Sequence, residues 1–324
     1  MTVLPASQSR LLLWLRATRP QTLLLAATPV LTGSVLGALR VGAFNWPIFA
    51  VMMVAALAIQ AATNLLNDAE DGLRGHDTAA RQGPERITAS GWASPAEVRR
   101  AALTVFGFAA LCGLYLIAVG GWPIALIGIL SLVSGAAYSA GPKPLSHTPY
   151  SELFVLAFFG IIAVSGADYL MAGSFSFKAA LTGQALGLFA AGVLHVNNCR
   201  DAEEDERAGR RTLAILAGPG GARLLYGFFI LLPFALLALI ALSAPVNQGV
   251  WLAAAALPLA LWLLRHFPKS GDRFSDKETR PDKGIEGGFA RAGSGPDFNR
   301  LLKLTVLLQF AYGALLCLGA ALAV

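Results

Sequence analysis

The sequence predicts an all-α polytopic membrane protein with nine transmembrane helices. Only 14% of its 324 residues are charged and 56% are hydrophobic, whereas a soluble domain carries roughly 25% charged residues. The mean hydropathy is +0.61, and long apolar runs recur along most of the chain. Because backbone exposed to lipid must satisfy its own hydrogen bonds, we expect each of these runs to form a helix.

Each predicted span is close to the roughly 20 residues that a helix needs to cross the hydrocarbon core. In chain order the spans are 22–39, 46–66, 101–119, 122–140, 152–172, 178–198, 224–243, 249–267 and 303–323. Only Gly120 and Gly121 separate the third span from the fourth, which predicts a tight helical hairpin. Before the first span, Leu and Trp residues at 11–15 stand among arginines, which predicts an interfacial helix.

The basic residues predict which way the chain crosses the membrane. With the N-terminus inside, all but two of the 25 Lys and Arg residues fall in the N-terminal segment or in the loops on its side; the exceptions are Arg40 and Lys178. By the positive-inside rule, we expect the N-terminus in the cytoplasm and the C-terminus on the far side. Topology and anionic lipid, rather than nucleic-acid binding, then explain the pI of about 9.5.

The loops predict that any chemistry takes place at the cytoplasmic face. Far-side loops are short, whereas the cytoplasmic loops 67–100 and 199–223 are long and polar. A third cytoplasmic loop, at about 266–300, is rich in Gly, Pro and charged residues, and we expect it to be flexible. Since nothing suggests a separate soluble domain, we expect residues 1–324 to form one integral membrane domain.

Two polar strings, at 64–71 and 197–205, interrupt the apolar pattern where the second and sixth spans end. Acids at such depth are costly and are therefore functional candidates. On a helix, Asn67 and Asp71 lie one turn apart on one face, and so do Asp201 and Asp205. Hard cations such as Mg2+ prefer oxygen ligands, usually one or two carboxylates together with substrate phosphates and water. These four residues are our candidate metal ligands.

Further residues around the strings are suited to an anionic substrate. Asp68, Asp77 and Asn198 are candidates for additional ligands or supporting groups. Basic residues crowd the same cytoplasmic layer, and as diphosphate-binding candidates we take Arg74, Arg81, Lys143 and Arg200. Lys143 stands in a stiff Gly-Pro-Lys-Pro turn, which could hold its amine towards a phosphate.

These parts suit ionisation of an allylic diphosphate. A metal neutralises charge on the leaving diphosphate, and aromatic faces stabilise the carbocation-like prenyl group. The candidate aromatic residues are Tyr138, which is also our catalytic candidate, and Phe154, Phe158, Phe159 and Tyr169.

The two strings, their place after the second and sixth spans and the number of spans resemble the UbiA superfamily of intramembrane prenyltransferases. The acids Asp71 and Asp77 are spaced more widely than in many members, and this spacing is similar to the branch that prenylates 1,4-dihydroxy-2-naphthoate. Residues 81–88, 209–214 and 19–22 are also similar to that branch. Residues 148–151 depart from its glycine-rich turn, and Ala89 and Arg211 replace its usual Gln and Lys.

The resemblance implies a helical bundle around a central cavity in a bacterial cytoplasmic membrane. It also implies Mg2+-dependent transfer of a polyprenyl group from its diphosphate to an aromatic acceptor. For the acceptor 1,4-dihydroxy-2-naphthoate, the transfer would remove the carboxylate and would be a step of menaquinone synthesis.

Other readings stay open at this point. One is a UbiA-type enzyme with another acceptor. Another is an ion-coupled transporter, since intramembrane acids occur there too. A third is a phosphatidyl-transferring alcohol phosphotransferase. Asp71-Gly72 matches the start of the motif of that class, but the rest of the motif is missing. Prenyl length and oligomeric state are not predicted.

Overall fold

The structure, a computed structural model, describes residues 10–75, 86–243, 248–268 and 297–323. Asp77, Arg81 and most of the loop predicted at 266–300 lie outside these ranges. The described helices are α1 (Arg10–Ala17), α2 (Pro20–Val41), α3 (Trp46–Arg74), α4 (Pro95–Gly120), α5 (Trp122–Ser139), α6 (Ser151–Ala172), α7 (Phe177–Arg200), α8 (Ala202–Arg207), α9 (Leu213–Leu242), α10 (Gly249–His266) and α11 (Phe298–Leu322).

Nine of these helices are long and apolar enough to cross a membrane, counted within the described ranges. They coincide with the nine predicted spans, which confirms the predicted fold class. The main differences lie at the ends near the two acidic strings, where helices continue beyond their apolar run. Helix α3 extends to Arg74, so the whole first polar string is helical. Helix α9 already begins at Leu213, although its backbone breaks at Gly218, where φ is 62°.

Local capping explains where several helices begin. The Asn45 side chain accepts a hydrogen bond from the Ile48 amide at 3.2 Å at the start of α3. Ser94 and Glu97 form a capping box at the start of α4. The predicted hairpin is confirmed: α4 ends at Gly120, and Gly121, with a φ of 71°, is the one residue before α5. Such a backbone conformation favours glycine.

Helix α7 lies at the centre of the bundle. Within its most apolar stretch, 83% of the residues are buried, against 22% for α4 and 11% for α5, which face outwards. It packs against α6, α9 and α11, while α2 contacts α3, α6 and α11. The largest apolar core therefore surrounds α7, and α3, α4 and α5 form the other wall of the molecule.

Helices α6 and α7 cross with their backbones in contact. The turn Ala157–Ile162 of α6 is a π-helix, and its Gly160 faces Gly183 and Gly187. A Cβ atom on Gly160 would lie 2.5 Å from the Gly187 Cα, so only glycine fits. Wide π turns of this kind occur often at functional sites.

One far-side ion pair accounts for an acid that the sequence left unexplained. Asp168 on α6 is fully buried, and its carboxylate accepts a hydrogen bond from Arg40 Nη1 at 2.6 Å. The same guanidinium also donates to the carbonyl and the hydroxyl of Ser174. Arg40, one of the two basic residues outside the predicted cytoplasmic layer, therefore joins the end of α2 to the end of α6.

Candidate active site

A cavity of about 580 Å3 extends into the bundle from the two acidic strings towards the opposite end of the helices. The end at the acidic strings is polar and charged. The deeper walls are apolar, with Met52 of α3, Ile124 of α5 and Leu170 of α6 among the lining residues. A cavity of this shape can hold a charged head group at its mouth and an apolar chain in its interior.

The two acidic strings meet on one arginine. Arg210 Nη2 lies 2.6 Å from Asp71 Oδ1 on α3, and Arg210 Nη1 lies 3.1 Å from Asp205 Oδ1 on α8. The two carboxylates therefore lie on either side of one guanidinium group, although they are far apart in sequence. This arrangement fits the expectation that the strings face one another.

Two more arginines line the mouth beside Arg210. Arg86 is buried; its Nη1 lies 2.5 Å from Asp71 Oδ2 and its Nη2 donates to Asn67 Oδ1 at 3.0 Å. Arg19 donates to the same amide oxygen at 3.4 Å. Asn67 in turn donates through Nδ2 to the Ser139 hydroxyl at 3.1 Å.

Arg19 adopts a backbone conformation that is unusual for an arginine. Its φ is 53°, and it is the second of the two residues between α1 and α2. A left-handed conformation costs an L-residue roughly 1–2 kcal/mol, and such strain is found preferentially at functional sites. Here it turns the chain directly before Pro20 and accompanies a side chain that lines the cavity.

Asp68 faces away from the cavity and supports the segment that carries Arg86. Its carboxylate accepts hydrogen bonds from the Ile87 amide at 3.1 Å, from the Thr88 amide at 3.4 Å and from the Thr88 hydroxyl. Asp68 is not among the cavity-lining residues. Its geometry is therefore that of an anchor for the chain after residue 86.

Three predicted diphosphate-binding residues do not line the cavity. Arg74 donates to the carbonyl oxygens of Ser139 at 3.1 Å and Gly141 at 3.0 Å, and so joins the ends of α3 and α5. Lys143 is exposed in the turn after α5. Arg200 binds within its own string. This arrangement gives no support to their predicted role, and it brings Arg19, Arg86 and Arg210 to the mouth instead.

Arg200 and Asp201 form a bidentate pair beside the mouth. Arg200 Nε and Nη2 donate to the two Asp201 carboxylate oxygens at 2.7 and 2.8 Å. Nη2 also donates to Asn197 Oδ1 at 2.7 Å, and Nη1 to Asn299 Oδ1 at 2.9 Å. Arg200 therefore holds Asp201 and Asn197, both of which line the cavity, and links them to the start of α11.

The oxygen groups at the mouth fit Mg2+ in their chemistry. No group of three or more His, Cys, Asp or Glu side chains among the described residues is arranged to hold a metal ion. However, Asn67, Asp201 and Asp205 line the mouth, and Asp71, which does not line it, binds Arg86 and Arg210, which do. A divalent cation prefers such donors.

Aromatic residues line the cavity below the mouth. Tyr138 of α5 lies within electrostatic reach of Arg19, Glu152, Asp205 and Arg210. Phe154 and Phe158 of α6 stack with ring centroids 4.5 Å apart, and with Phe159 they line the opposite wall.

Tyr169 is the exception among the candidate aromatics. It donates to the Gly120 carbonyl at 3.2 Å and stacks on Phe175, and it does not line the cavity.

A buried polar network that the sequence did not predict lies beside α6 and α7. Glu152, His195 and Asn198 are each at least nine-tenths buried. Asn198 Nδ2 donates to Glu152 Oε1 at 3.0 Å, and the Ser151 hydroxyl donates to Glu152 Oε2 at 2.8 Å. Nothing local in the sequence indicates that Glu152 pairs with His195 and Asn198, because both come from α7.

Comparison with known proteins gives the family of this chain. The UbiA prenyltransferase family matches residues 26–280. Three relatives are 1,4-dihydroxy-2-naphthoate octaprenyltransferases. The Bacillus subtilis enzyme is 36% identical over 211 residues, covering 65% of this chain and 67% of its own. The Escherichia coli enzyme is 31% identical over 270 residues, 82% and 87% of the two chains. The Mycobacterium tuberculosis enzyme is 34% identical over 251 residues, 76% and 83%.

Solved structures show the same fold. A UbiA homolog from Archaeoglobus fulgidus bound to DMAPP and Mg2+ has a TM-score of 0.63 at 16% identity, covering 93% of this chain and 99% of that one. The same homolog bound to GPP and Mg2+ also has a TM-score of 0.63. With the family matched over most of its length and the nine-helix bundle in common, this chain belongs to the UbiA prenyltransferase family and is a membrane-embedded prenyltransferase.

Proposed function

We propose that this protein transfers a polyprenyl group from polyprenyl diphosphate to 1,4-dihydroxy-2-naphthoate in a Mg2+-dependent reaction with loss of carbon dioxide. One observation carries the proposal: Asp71 and Asp205 meet on Arg210 at the charged mouth of a long apolar cavity. The substrate has the same division into a charged head and an apolar tail. Relatives that bear the name of this naphthoate activity support the acceptor.

The mouth supplies what a diphosphate requires. Arg19, Arg86 and Arg210 line it, and arginine binds phosphate oxygens through two parallel hydrogen bonds. Asn67, Asp71, Asp201 and Asp205 would hold Mg2+, which when bound neutralises charge on the leaving diphosphate. On this proposal Arg86 and Arg210 pair with the acids before substrate binds and with the diphosphate afterwards.

The walls of the cavity would guide the reaction itself. The bond between the prenyl carbon and the diphosphate oxygen breaks, and a bond from that carbon to the acceptor ring forms as the carboxylate leaves as carbon dioxide. The net equation balances without any further proton or oxidant. Tyr138, Phe154 and Phe158 present ring faces that stabilise positive charge on the prenyl group, and the apolar interior excludes water that would otherwise react with it.

We further propose that the protein lies in the bacterial cytoplasmic membrane with its mouth at the cytoplasmic face. The asymmetry of Lys and Arg residues supports this orientation. The family assignment favours an enzyme over the ion-coupled transporter that the sequence left open. The charged residues also cluster at one end of the cavity instead of at the middle of the bilayer.

The test is turnover of purified protein in lipid nanodiscs with a polyprenyl diphosphate, 1,4-dihydroxy-2-naphthoate and Mg2+. We expect a product whose mass equals the naphthoate plus the prenyl group minus carbon dioxide, and no product when EDTA removes the metal. A panel of other hydroxylated aromatic acids serves as the control. Product from 4-hydroxybenzoate but none from the naphthoate would overturn the acceptor, while retaining prenyl transfer.

A further inference from the structure

The buried network of Glu152, His195 and Asn198 fixes the orientation of one amide group at the cavity wall. Asn198 lines the cavity, and its Nδ2 donates to Glu152 Oε1 at 3.0 Å. A carboxylate only accepts hydrogen bonds, so the nitrogen of the amide must face Glu152. The other end of the amide, the Asn198 Oδ1 atom, then points away from Glu152 and is the end that can serve the cavity.

The position of Glu152 is itself determined by its surroundings. The Ser151 hydroxyl donates to Glu152 Oε2 at 2.8 Å, and His195 Nδ1 lies 3.4 Å from Oε1. His195 Nε2 lies 2.9 Å from the Ala222 carbonyl oxygen, to which it can only donate, so α9 holds the imidazole ring in place. A carboxylate buried to this degree is costly unless such partners surround it.

The wall formed by α6 and α7 differs from the arginine cluster at the mouth. Arg19, Arg86 and Arg210 line the mouth, which suits the diphosphate. On the α6 and α7 wall, Glu152 places a carboxylate directly behind Asn198, so a hydrogen-bond donor is favoured beside Asn198 over a phosphate or the carboxylate of the acceptor. Asn198 and the stacked rings of Phe154 and Phe158 line this same wall. It therefore suits a flat aromatic molecule with a hydrogen-bond donor.

We propose that Asn198 recognises the acceptor: its amide oxygen, oriented by Glu152, accepts a hydrogen bond from a hydroxyl group of the aromatic acceptor. Glu152 is thus a positioning residue that acts through Asn198, and the Ser151 hydroxyl holds Glu152 in turn. The inference rests on the proposed function and adds to it the residue that recognises the acceptor. Recognition of a hydroxyl group by a buried partner discriminates strongly against analogues that lack it.

Steady-state kinetics of the full-length protein in nanodiscs test this proposal with 1,4-dihydroxy-2-naphthoate and a polyprenyl diphosphate. We expect Asn198→Ala and Glu152→Ala each to raise KM for the naphthoate by about tenfold, the effect of one lost hydrogen bond. KM for the diphosphate should stay within about twofold, since no contact to it is lost. The double variant should be no worse than either single one, because both remove the same interaction.

The Glu152→Gln variant tests whether Glu152 acts by orienting the Asn198 amide or through its negative charge. The glutamine oxygen can still accept from Asn198, so we expect this variant to restore KM for the naphthoate. The matched control is Glu203→Gln, which removes an acid on the same side of the membrane that pairs with Arg207 at the surface. Competition by hydroxylated naphthoates and by 2-naphthoate adds a direct readout: the wild type should prefer the hydroxylated compounds, and Asn198→Ala should lose that preference.

Several outcomes would overturn the inference. They are an equal rise in both KM values, an unchanged KM for the naphthoate in Asn198→Ala, and a Glu152→Gln variant as impaired as Glu152→Ala. If Glu152→Ala fails to fold, Asn198→Ala and the competition series decide. Failure of the proposed function would look different, since the wild type itself would then not prenylate the naphthoate. If the wild type uses another hydroxylated acid, the same variants are compared with that acid.

Discussion

Asp71 is the residue on which the charged groups of the mouth converge. Arg86 and Arg210 approach its two carboxylate oxygens at 2.5 and 2.6 Å, although one arginine follows in the next loop and the other comes after the second string. A buried carboxylate that lost such partners would be left uncompensated at a cost of about 3–5 kcal/mol. Replacement of these cations by a bound metal ion would keep the acid compensated, while the diphosphate would take over the two arginines.

We expect Asp71→Asn and Asp205→Asn each to lower kcat/KM by about 100-fold or more, because each removes charge that would hold the metal. A titration of activity with Mg2+ should show an increased metal requirement in whichever variant retains activity. Glu203→Gln, which alters a surface acid on α8, should behave like the wild type. Wild-type turnover in both Asn variants would refute the assignment of Asp71 and Asp205 as ligands.

Arg210 offers a second prediction with a close control. Arg210→Gln should raise KM for the prenyl diphosphate by about tenfold, since it removes a charge-assisted contact worth roughly 1.5–3 kcal/mol. Arg207 on the same short segment is exposed and pairs only weakly with Glu203, so Arg207→Gln should leave KM unchanged. Equal effects of the two substitutions would indicate that overall basic charge, and not the geometry of Arg210, attracts the substrate.

The predictability of the site differs between the acids and the cations. The sequence indicated the candidate ligands because helical spacing alone brings each pair onto one face, Asn67 with Asp71 and Asp201 with Asp205. The arginines that accompany them were not identified, because Arg86 and Arg210 reach Asp71 only through tertiary contacts. Arg74 and Arg200 lie equally close to the strings in sequence, yet they bind the backbone at the end of α5 and the carboxylate of Asp201.

At the scale of the elements, the crossing of α6 and α7 sets the shape of the cavity wall. Gly160 lies against Gly183 and Gly187, and the π turn around Gly160 carries Phe158 and Phe159 towards the cavity. Without side chains at the crossing, the two backbones approach closely. The wall proposed to receive the acceptor therefore depends on a glycine contact as well as on the polar network of Glu152 and Asn198.

We expect Gly160→Ala to destabilise the protein by about 1–3 kcal/mol, the usual cost of overpacking a close contact. Thermal unfolding in detergent should show a lower Tm. Gly107→Ala on α4 is the matched control, because a Cβ atom there meets no other atom within 4 Å. Alanine is in fact the better helix former, so this control should not lower Tm. A Gly160→Ala protein as stable as the wild type would show that the helices can separate without cost.

Hydropathy predicted the spans well because it reports which residues face lipid or apolar core. It does not report the cytoplasmic extensions, where α3 continues to Arg74 and α9 already begins at Leu213. Caps such as the Thr212 side chain determine those ends, and they lie outside the apolar runs. The π turn of α6 was not predicted either, since its cause is the distant backbone of Gly187.

At the scale of the whole molecule, the two acidic strings lie on opposite sides of one cavity. Helix α3 brings the first string from the outer wall, and α7 with α8 brings the second from the central helix. Arg210 connects the two sides at the mouth. These two ion pairs therefore join elements that are far apart in sequence.

The orientation of the protein in the membrane can be tested with reporter proteins fused to it. We expect alkaline phosphatase fused to the C-terminus to be active, because this enzyme requires the far side of a bacterial membrane, and a fluorescent protein fused there to stay dark. The control is a fluorescent protein fused after Gly141, in a predicted cytoplasmic loop, which should fluoresce. The reverse pattern would place the N-terminus and the acidic strings outside the cytoplasm and contradict the positive-inside assignment.

Release of product follows from the division of the cavity between a charged mouth and an apolar interior. In the proposed reaction the prenyl chain enters tethered to a diphosphate that the arginines hold, and it leaves on a ring that has lost its carboxylate. The product then carries no anion for Arg19, Arg86 or Arg210 to retain, while its chain is as soluble in the bilayer as in the cavity. Loss of the two anionic groups would thus make the transfer directional and let the product diffuse sideways into the lipid.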